Sequence, residues 1–295
     1  MSFLIIQIFR MKKIWLLLCL TPVTGFTQNL FISARAGLSN YQGDLQEKSY
    51  TFKKSKFIGS LGAKYDISEH IQLRGYLSFT KLGADDKDSK SAFNRARNLN
   101  FTSGLQELEL STQYNIFSLN DQWWTPYVFA GIGIFHYNPY TTYNGSKVYL
   151  QPLSTEGEGV VSGVKPYKLT QFAIPFGFGG EYALTEDIRI GLEFGFRKTF
   201  TDYIDDASGS YVDYTTLLNA KGPTAVALAY RGDELPGGAP YPPGGTQRAN
   251  PKKKDAYYFT TLTITFRPFV DEYKRTSGIA SMRKARKRVG CPGVK

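Results

Sequence analysis

The sequence predicts an all-β chain whose eight strands close into an antiparallel, up-and-down β-barrel that crosses a membrane. Three observations support this: apolar and polar residues alternate in eight segments, short and long connections alternate between them, and the composition is aromatic but not very apolar. Aromatic residues make up 15% of the 295 residues, glycine contributes 29, and mean hydropathy is −0.29. Transmembrane barrel strands are apolar on one face only, so their average hydropathy stays low.

The segment Arg189–Phe200 shows the alternation most clearly. Its even positions carry Ile, Leu or Phe with one Lys, and its odd positions carry Arg, Gly, Glu or Thr. Successive side chains of a strand point to opposite faces, so one face is apolar and the other polar. The other seven segments are Leu30–Ser39, Phe57–Tyr65, Ile71–Thr80, Leu105–Phe117, Pro126–Tyr137, Phe172–Tyr182 and Tyr257–Phe266.

The connections between these segments alternate in length. The short ones are Asp66–His70, Ser118–Thr125 and Ala183–Asp187, and the long ones lie near residues 40–55, 84–100, 138–168 and 203–256. Outer-membrane barrels have short periplasmic turns and long extracellular loops, so this pattern predicts an outer-membrane location with both termini in the periplasm. The competing all-β interpretation is a soluble sandwich or a lipocalin-like barrel, whose apolar faces point inward.

The polar faces of the predicted strands carry charges of both signs. We expect these residues to form a salt-bridged network that fills the barrel interior, because unpaired buried charges are costly. The predicted lumen network comprises Arg35, Arg74, Glu107, Glu109, Glu193 and Arg197, with Lys64 and Glu181 also facing inward. A filled interior favours a structural plug over a channel.

The N-terminal segment resembles an export signal. Met11–Leu20 combines two lysines with an apolar core, and small residues in Gly25–Thr27 suit cleavage before Gln28. The signal begins at Met11 in this interpretation, with Met1–Arg10 an upstream extension or a false start. The apolar core is short for a retained anchor helix, the other interpretation. The predicted organisation is therefore signal peptide 1–27, barrel 28–270 and basic periplasmic tail 271–295.

The tail carries much of the net charge of +11. Its candidate partner-binding residues are Lys274, Arg275, Arg283, Lys284, Arg286, Lys287, Arg288 and Cys291. Three interpretations stay open: a solvated disordered segment, contact with an anionic membrane surface, or docking to an acidic periplasmic protein. Cys291 is the one cysteine left after signal cleavage, and an oxidising periplasm permits an inter-chain disulfide there.

The histidines and the clustered acids of the sequence indicate no catalytic, cofactor or metal site. The two histidines, His70 and His136, lack metal-ligand spacing, and a rim hydrolase using His136 has no defined nucleophile. The acids of Asp202–Asp213 lack the order of a calcium loop, so a hydrogen-bonded or solvated turn is favoured over a calcium site. Nucleic acid is not an expected partner of an exported barrel. The residues expected in interfacial aromatic belts are Trp123, Trp124, Tyr127, Tyr257 and Tyr258.

Five segments resemble a known family in order and spacing. They are SNYQGDL (Ser39–Leu45), RNLNFTSGLQELELSTQYNIF (Arg97–Phe117), TPYVFAGIGIFHYNP (Thr125–Pro139), LQPLSTEGEG (Leu150–Gly159) and DYIDDASGSYVD (Asp202–Asp213). Together they resemble the PorG-like outer-membrane barrels of Bacteroidetes, which include the barrel subunit of the type IX secretion system.

The resemblance runs from about residue 28 to 270. It implies a small barrel, embedded in outer-membrane lipid, beside a periplasmic ring built from a lipoprotein and its partner protein. Its implied role is to anchor or assemble the secretion machinery without catalysis. The alternative is a free-standing surface barrel that serves ligand binding, adhesion or envelope integrity. The motifs carry no named catalytic residues.

Overall fold

The structure, a computed structural model, describes residues 29–46, 51 and 54–268. Nine β-strands and three short α-helices occur in this part of the chain. The strands are β1 (Leu30–Gln42), β2 (Lys56–Asp66), β3 (Ile71–Asp85), β4 (Asn100–Asn115), β5 (Trp124–Tyr143), β6 (Ser146–Tyr149), β7 (Thr170–Ala183), β8 (Ile188–Thr199) and β9 (Ala256–Phe266). The helices are α1 (Ala92–Arg97), α2 (Tyr214–Lys221) and α3 (Pro223–Ala229). Within these described residues, no helix has the length and apolar character needed to cross a membrane.

Eight of the strands form one closed antiparallel barrel. Neighbouring strands follow the order β4-β3-β2-β1-β9-β8-β7-β5, and β4 also pairs with β5, from Thr102↔Tyr140 to Asn115↔Tyr127. This last pairing joins the two ends of the sheet, so the predicted eight-stranded barrel is confirmed. β6 was not predicted. It pairs with the far end of β5, which continues to Tyr143 instead of ending at Tyr137.

The two ends of the barrel differ in the length of their connections. Residues 67–70, 116–123 and 184–187 link strands at one end, which we call the short-turn rim. Residues 43–55, 86–99, 144–169 and 200–255 link strands at the other end, the long-loop rim. β1 starts and β9 finishes at the short-turn rim, where Ile32 pairs with Phe266.

The outer wall carries a continuous apolar band. On β3 the outward positions from Ile71 to Phe79 are apolar except for Gly75, and polar character begins at Lys81. Five alternating outward positions on a tilted strand span about 20 Å, close to the apolar height of outer-membrane barrels. Side chains such as Leu61 and Leu262, exposed by 70% and 69%, therefore face lipid. The exposed polar residues that end the band at the long-loop rim include Lys81, Gln106, His136, Thr170 and Lys198.

Inward-facing glycines on β7 and β8 make room for aromatic rings inside the barrel. A Cβ added to Gly179 lies 2.5 Å from the Cζ and Oη atoms of Tyr127, and one added to Gly177 lies 2.8 Å from the Phe129 ring. β7 is the direct neighbour of β5, with Gly179 opposite Tyr127 and Gly177 opposite Phe129, so these two inward rings lie over bare backbone of the adjacent strand. Gly180, the next residue along β7, faces outward, and a Cβ there meets nothing within 4 Å.

We expect Gly179→Ala to lower the free energy of unfolding by about 1–3 kcal/mol, because the added methyl group collides with the Tyr127 ring. Urea titration of the folded barrel in detergent, followed by gel mobility, measures the change. Gly180→Ala is the matched control and should leave stability nearly unchanged. Equal losses in the two variants would contradict the steric explanation.

Candidate functional site

A ring of ion pairs fills the middle of the barrel. The two carboxylate oxygens of Glu193 lie 2.8 Å from Arg35 Nη1 and 2.6 Å from Arg74 Nη1. Glu109 contacts three guanidinium groups, those of Arg35, Arg74 and Arg197, at 3.2, 3.0 and 2.9 Å. All five side chains are almost completely buried. These side chains come from the inward-facing positions of four strands, β1, β3, β4 and β8.

Glu107 is the sixth residue of the predicted lumen network, and it joins the ring at its long-loop side. Its Oε1 lies 3.3 Å from Arg197 Nε, and its Oε2 accepts a hydrogen bond from the Tyr257 hydroxyl. Tyr127 donates to Glu193 at 3.0 Å. Three arginines and three glutamates thus balance in charge. The structure places all six predicted residues in one connected cluster.

These hydroxyl contacts correct two predictions about the aromatic belts. Tyr127 and Tyr257 face the lumen, since each sits on the inward side of its strand and is almost fully buried. The prediction rested on residue type, because tyrosine suits a membrane interface, but the buried glutamates supply stronger partners for their hydroxyls. Tyr258 is also fully buried, and its hydroxyl contacts Thr51. Trp123 and Trp124 are exposed at the short-turn rim, as expected for a belt.

A second charged layer lies nearer the short-turn rim. Lys64 forms a short ion pair with Glu181, whose other oxygen lies 3.5 Å from Arg189 Nη1. Arg189 also reaches Asp66 at 3.1 Å. Two positive and two negative groups again balance. Buried charges in this arrangement are tolerated because each has a partner of opposite sign and further hydrogen bonds.

The long loops fold into a cap over the other end of the barrel. Inward residues of the strand ends, including Ile58, Leu82, Leu105 and Phe135, form one apolar cluster with loop residues such as Ile204. The cluster seals the long-loop rim. The longest loop, residues 200–255, contains α2 and α3. Its Pro-Gly-rich stretch, residues 235–245 (LPGGAPYPPGG), lies outside both helices.

Two buried arginines tie the loops of the cap together. Arg248 contacts Glu156 at 2.9 Å, and its Nη1 also donates to the backbone oxygen of Asp206. Arg97, in α1, pairs with Asp86 at 2.7 Å and donates to the backbone oxygen of Arg248 at 2.6 Å. Four separate loop positions are therefore held by two side chains. The alternation that predicts strands could not identify these two arginines, because loop sequences have no such periodicity.

One tyrosine of the cap lies between two buried carboxylates. The Tyr41 hydroxyl oxygen is 2.6 Å from Asp205 Oδ2 and 2.7 Å from Asp255 Oδ1. A hydroxyl carries one proton and can donate to only one of these acceptors. The second contact therefore requires a proton on one carboxyl group, which then donates to the tyrosine oxygen. Burial raises the pKa of both aspartates, and the neighbouring charges of Asp44 and Asp205 raise them further.

Other cap acids also have raised pKa values. Burial raises the pKa of Asp206 to about 7, although Arg248 opposes the shift, and that of Asp44 to about 6. Asp206 accepts hydrogen bonds from Thr155 and Tyr167, each at 2.6 Å. Among the described residues, no three His, Cys, Asp or Glu side chains are grouped so as to hold a metal ion. The aspartates that follow β8 instead accept hydrogen bonds within the cap, whereas Asp213 caps α2.

The remaining predicted residues fall in different places. His136 faces outward, with Nδ1 3.0 Å from Thr170 Oγ1, and His70 Nδ1 lies 2.9 Å from the Asn115 carbonyl oxygen. The signal peptide 1–27, the tail 271–295 and all eight candidate partner-binding residues, including Cys291, lie outside the described residues. They stay predictions.

Comparison with known proteins gives a family and several likenesses in fold. The family model described as a domain of unknown function (DUF6089) matches residues 10–221. No curated protein sequence matches the chain significantly.

Several solved structures are similar to this chain. Neisserial surface protein A (NspA) aligns at 11% identity and a TM-score of 0.41, covering 81% of this chain and 97% of its own. Ail of Yersinia pestis aligns at 10% identity and a TM-score of 0.37, covering 80% and 97%, and OprG of Pseudomonas aeruginosa at 9% and 0.38, covering 80% and 95%. At these identities and TM-scores the likenesses carry no argument about function.

Strand pairing closes the sheet, the outer wall is apolar, and charged side chains fill the interior. These features define an outer-membrane β-barrel protein. The chain belongs to the DUF6089 family, whose model covers more than half of it.

We expect Glu109→Gln to lower the free energy of unfolding by about 3–5 kcal/mol, because it removes the negative charge that three buried arginines share. Urea unfolding in detergent measures the loss. Glu69→Gln, at an exposed position of a short turn, is the control and should stay within about 0.5 kcal/mol of the parent. A Glu109 effect as small as that of the control would contradict the network.

The cap should lose local stability as pH rises. A carboxyl whose folded pKa is raised binds its proton more tightly in the folded state, so its contribution is complete below the unfolded pKa of about 4 and is lost as pH rises through the folded value. The Ile204 and Ala207 amides donate to Asp255 and Asp205 and report on this site. Hydrogen exchange, corrected for intrinsic rates, should show their protection falling by about tenfold or more as pH rises through the raised pKa values of the neighbouring cap acids, about 6 for Asp44 and about 7 for Asp206.

Asp205→Asn should flatten this pH dependence, because the amide supplies permanently the proton that the carboxyl must otherwise retain. Asp233→Asn, at an exposed cap position, is the matched control and should keep the parental profile. Identical profiles for Asp205→Asn and the parent protein would contradict proton sharing at Tyr41.

Proposed function

We propose that this protein is a non-enzymatic outer-membrane barrel that anchors or assembles the type IX secretion machinery through periplasmic contacts. The observation that carries the proposal is the interior: ion pairs fill the middle of the barrel and an apolar cluster seals the long-loop rim. A barrel occupied in this way offers no continuous path for a solute. Its free surfaces are the lipid-facing wall, the cap and the short-turn rim.

The short-turn rim is the surface from which both flanking segments of the chain leave the barrel. β1 starts and β9 finishes side by side there, with Ile32 paired to Phe266. If the long loops face the exterior, as in outer-membrane barrels generally, this rim faces the periplasm. The basic tail 271–295 then enters the compartment where a periplasmic ring lipoprotein and its partner protein lie in the resembled family.

The motif resemblance supports the secretion role, and charge supports the docking surface. Lys274, Arg275 and the basic run Arg283–Arg288 suit an acidic partner, since complementary charge speeds encounter. Cys291 follows this run and suits an inter-chain disulfide that holds the contact. Electrostatic encounter followed by covalent locking is the mechanism proposed for the tail.

A second candidate is a free-standing surface barrel whose cap binds a ligand or a neighbouring cell-surface molecule. The ordered cap favours it. Tyr241 packs edge-on against Tyr211, Tyr214 and Tyr230, so the Pro-Gly-rich stretch has a fixed position on the cap. In this alternative the tail has no task in secretion.

Deletion of residues 271–295 separates the two candidates. We expect the deleted protein to fold as a heat-modifiable barrel, while ring components no longer co-purify with it and secretion of type IX cargo falls. Normal secretion and an intact complex would favour the surface barrel.

Cys291→Ser tests the covalent step by itself. Non-reducing gels of intact cells should lose a higher-mass band that the parent protein shows, while the matched variant Ser281→Ala retains it. The same bands in the parent and in Cys291→Ser would refute the disulfide and leave electrostatic docking to be judged by the deletion.

A further inference from the structure

The three turns of the short-turn rim are acidic. They contain no Lys or Arg and four acids, which are Glu69, Asp121, Glu186 and Asp187. Glu69 and Asp121 are exposed. Arg267, directly after β9, lies beside the turns, with Nη1 3.7 Å from Asp187 Oδ1. Because the second charged layer above is balanced, four acids and one arginine give this described rim a net charge of −3.

The segment that leads into the basic tail leaves the barrel between two of these turns. The Arg267 amide donates to the carbonyl oxygen of Asp187 at 2.9 Å, so β9 ends against the turn between β7 and β8. On its other side β9 pairs with β1, and β1 pairs with β2, whose turn carries Glu69. Acidic turns therefore lie on both sides of the point where the chain leaves the barrel.

A buried side chain at the same end of the lumen offers an acceptor. Gln72 is the inward residue of β3 nearest the short-turn rim, and it is 1% exposed. Its Nε2 donates to Asp66 Oδ1 at 2.6 Å, whereas its Oε1 accepts no hydrogen bond from a described residue. A buried acceptor without a donor is costly, so this end of the lumen favours a ligand that brings N–H groups.

The basic tail has the complementary charge and enough length to cover the rim. Residues 271–295 contain eight Lys and Arg residues against two acids. Eight strands about 4.8 Å apart and tilted by about 40° enclose a rim about 16 Å across. Six extended residues span about 20 Å, so Lys274 and the residues after it can reach all three turns from Pro268.

We propose that the basic tail docks on the short-turn rim of its own barrel. Its Lys and Arg side chains contact Glu69, Asp121 and Glu186, and one of its N–H groups donates to Gln72 Oε1. A tethered segment has an effective concentration on the order of 1 mM, so a dissociation constant of about 0.1 mM keeps the tail docked about nine-tenths of the time.

Docking on the rim makes the tail a contact that other proteins must compete for. An acidic partner binds the basic run only by displacing the rim acids, so the docked tail is the resting state of the free barrel. This contact concerns the barrel alone and does not depend on a role in type IX secretion.

Limited trypsin digestion of the purified, full-length mature barrel in neutral detergent tests the contact. The triple variant Glu69→Gln/Asp121→Asn/Glu186→Gln should lose its tail on the order of 10-fold faster than the parent, because an undocked tail is open to cleavage throughout. Mass spectrometry of the released tail peptides measures the rate. The control Asp88→Asn/Asp233→Asn/Glu234→Gln removes three acids at the long-loop rim and should be cut like the parent. Equal rates for the rim variant and the parent would overturn the proposal.

Carbodiimide cross-linking of the parent identifies the two surfaces directly, because it joins an amine to a carboxylate in contact with it. Lys274, Lys284 or Lys287 should become linked to the rim acids within a monomer, and these links should disappear at about 1 M salt, where the screening length falls to about 3 Å. Links only between two chains, links only to other acids, or no tail links would each overturn the proposal. No other protein is present in either experiment, so both results are independent of the secretion role.

Discussion

A sheet surrounded by lipid cannot leave backbone N–H and C=O groups unpaired at its edges, because hydrocarbon offers them no partner. The pairing of β4 with β5 meets this constraint by joining the first and last members of the strand order. Closure then determines the rest of the arrangement. Each strand must turn one face to lipid and the other to a narrow interior, so alternate residues become apolar outside and polar inside. Charges sent into that interior must neutralise one another, and the three glutamates of the central ring do so for its three arginines.

The barrel could be predicted from sequence because the alternation of apolar and polar residues is visible within each short segment. Alternation in a segment such as Arg189–Phe200 reports directly which residues face lipid, and eight such segments were enough to give the strand number and the lumen charges. The tyrosines were harder, because a ring with a hydroxyl suits either an interface or a buried carboxylate. Tyr127 and Tyr257 took the second role, since Glu193 and Glu107 lie within hydrogen-bonding distance.

The cap could not be predicted by the same reasoning, because its contacts join residues far apart in sequence and have no period. Arg97 reaches the backbone of Arg248, and Tyr41 reaches Asp205 and Asp255. The motifs that carry the family resemblance nevertheless include several of these residues. Tyr41 lies in SNYQGDL, Glu156 in LQPLSTEGEG and Asp205 in DYIDDASGS. Motifs that looked like separate loop signatures thus meet in one folded layer.

The inward glycines of β7 and β8 also define how this molecule could be redesigned. Gly177, Gly179 and Gly195 form a smooth strip of backbone that faces the rings of Tyr127 and Phe129. Trimming those two rings to small side chains would open a slot along this strip, because the glycines of the neighbouring strands β7 and β8 carry no side chain to fill it. Conversion of the protein into a conducting pore would need the fewest substitutions along this glycine strip. It would also need new partners for the arginine side chains that lose their buried contacts.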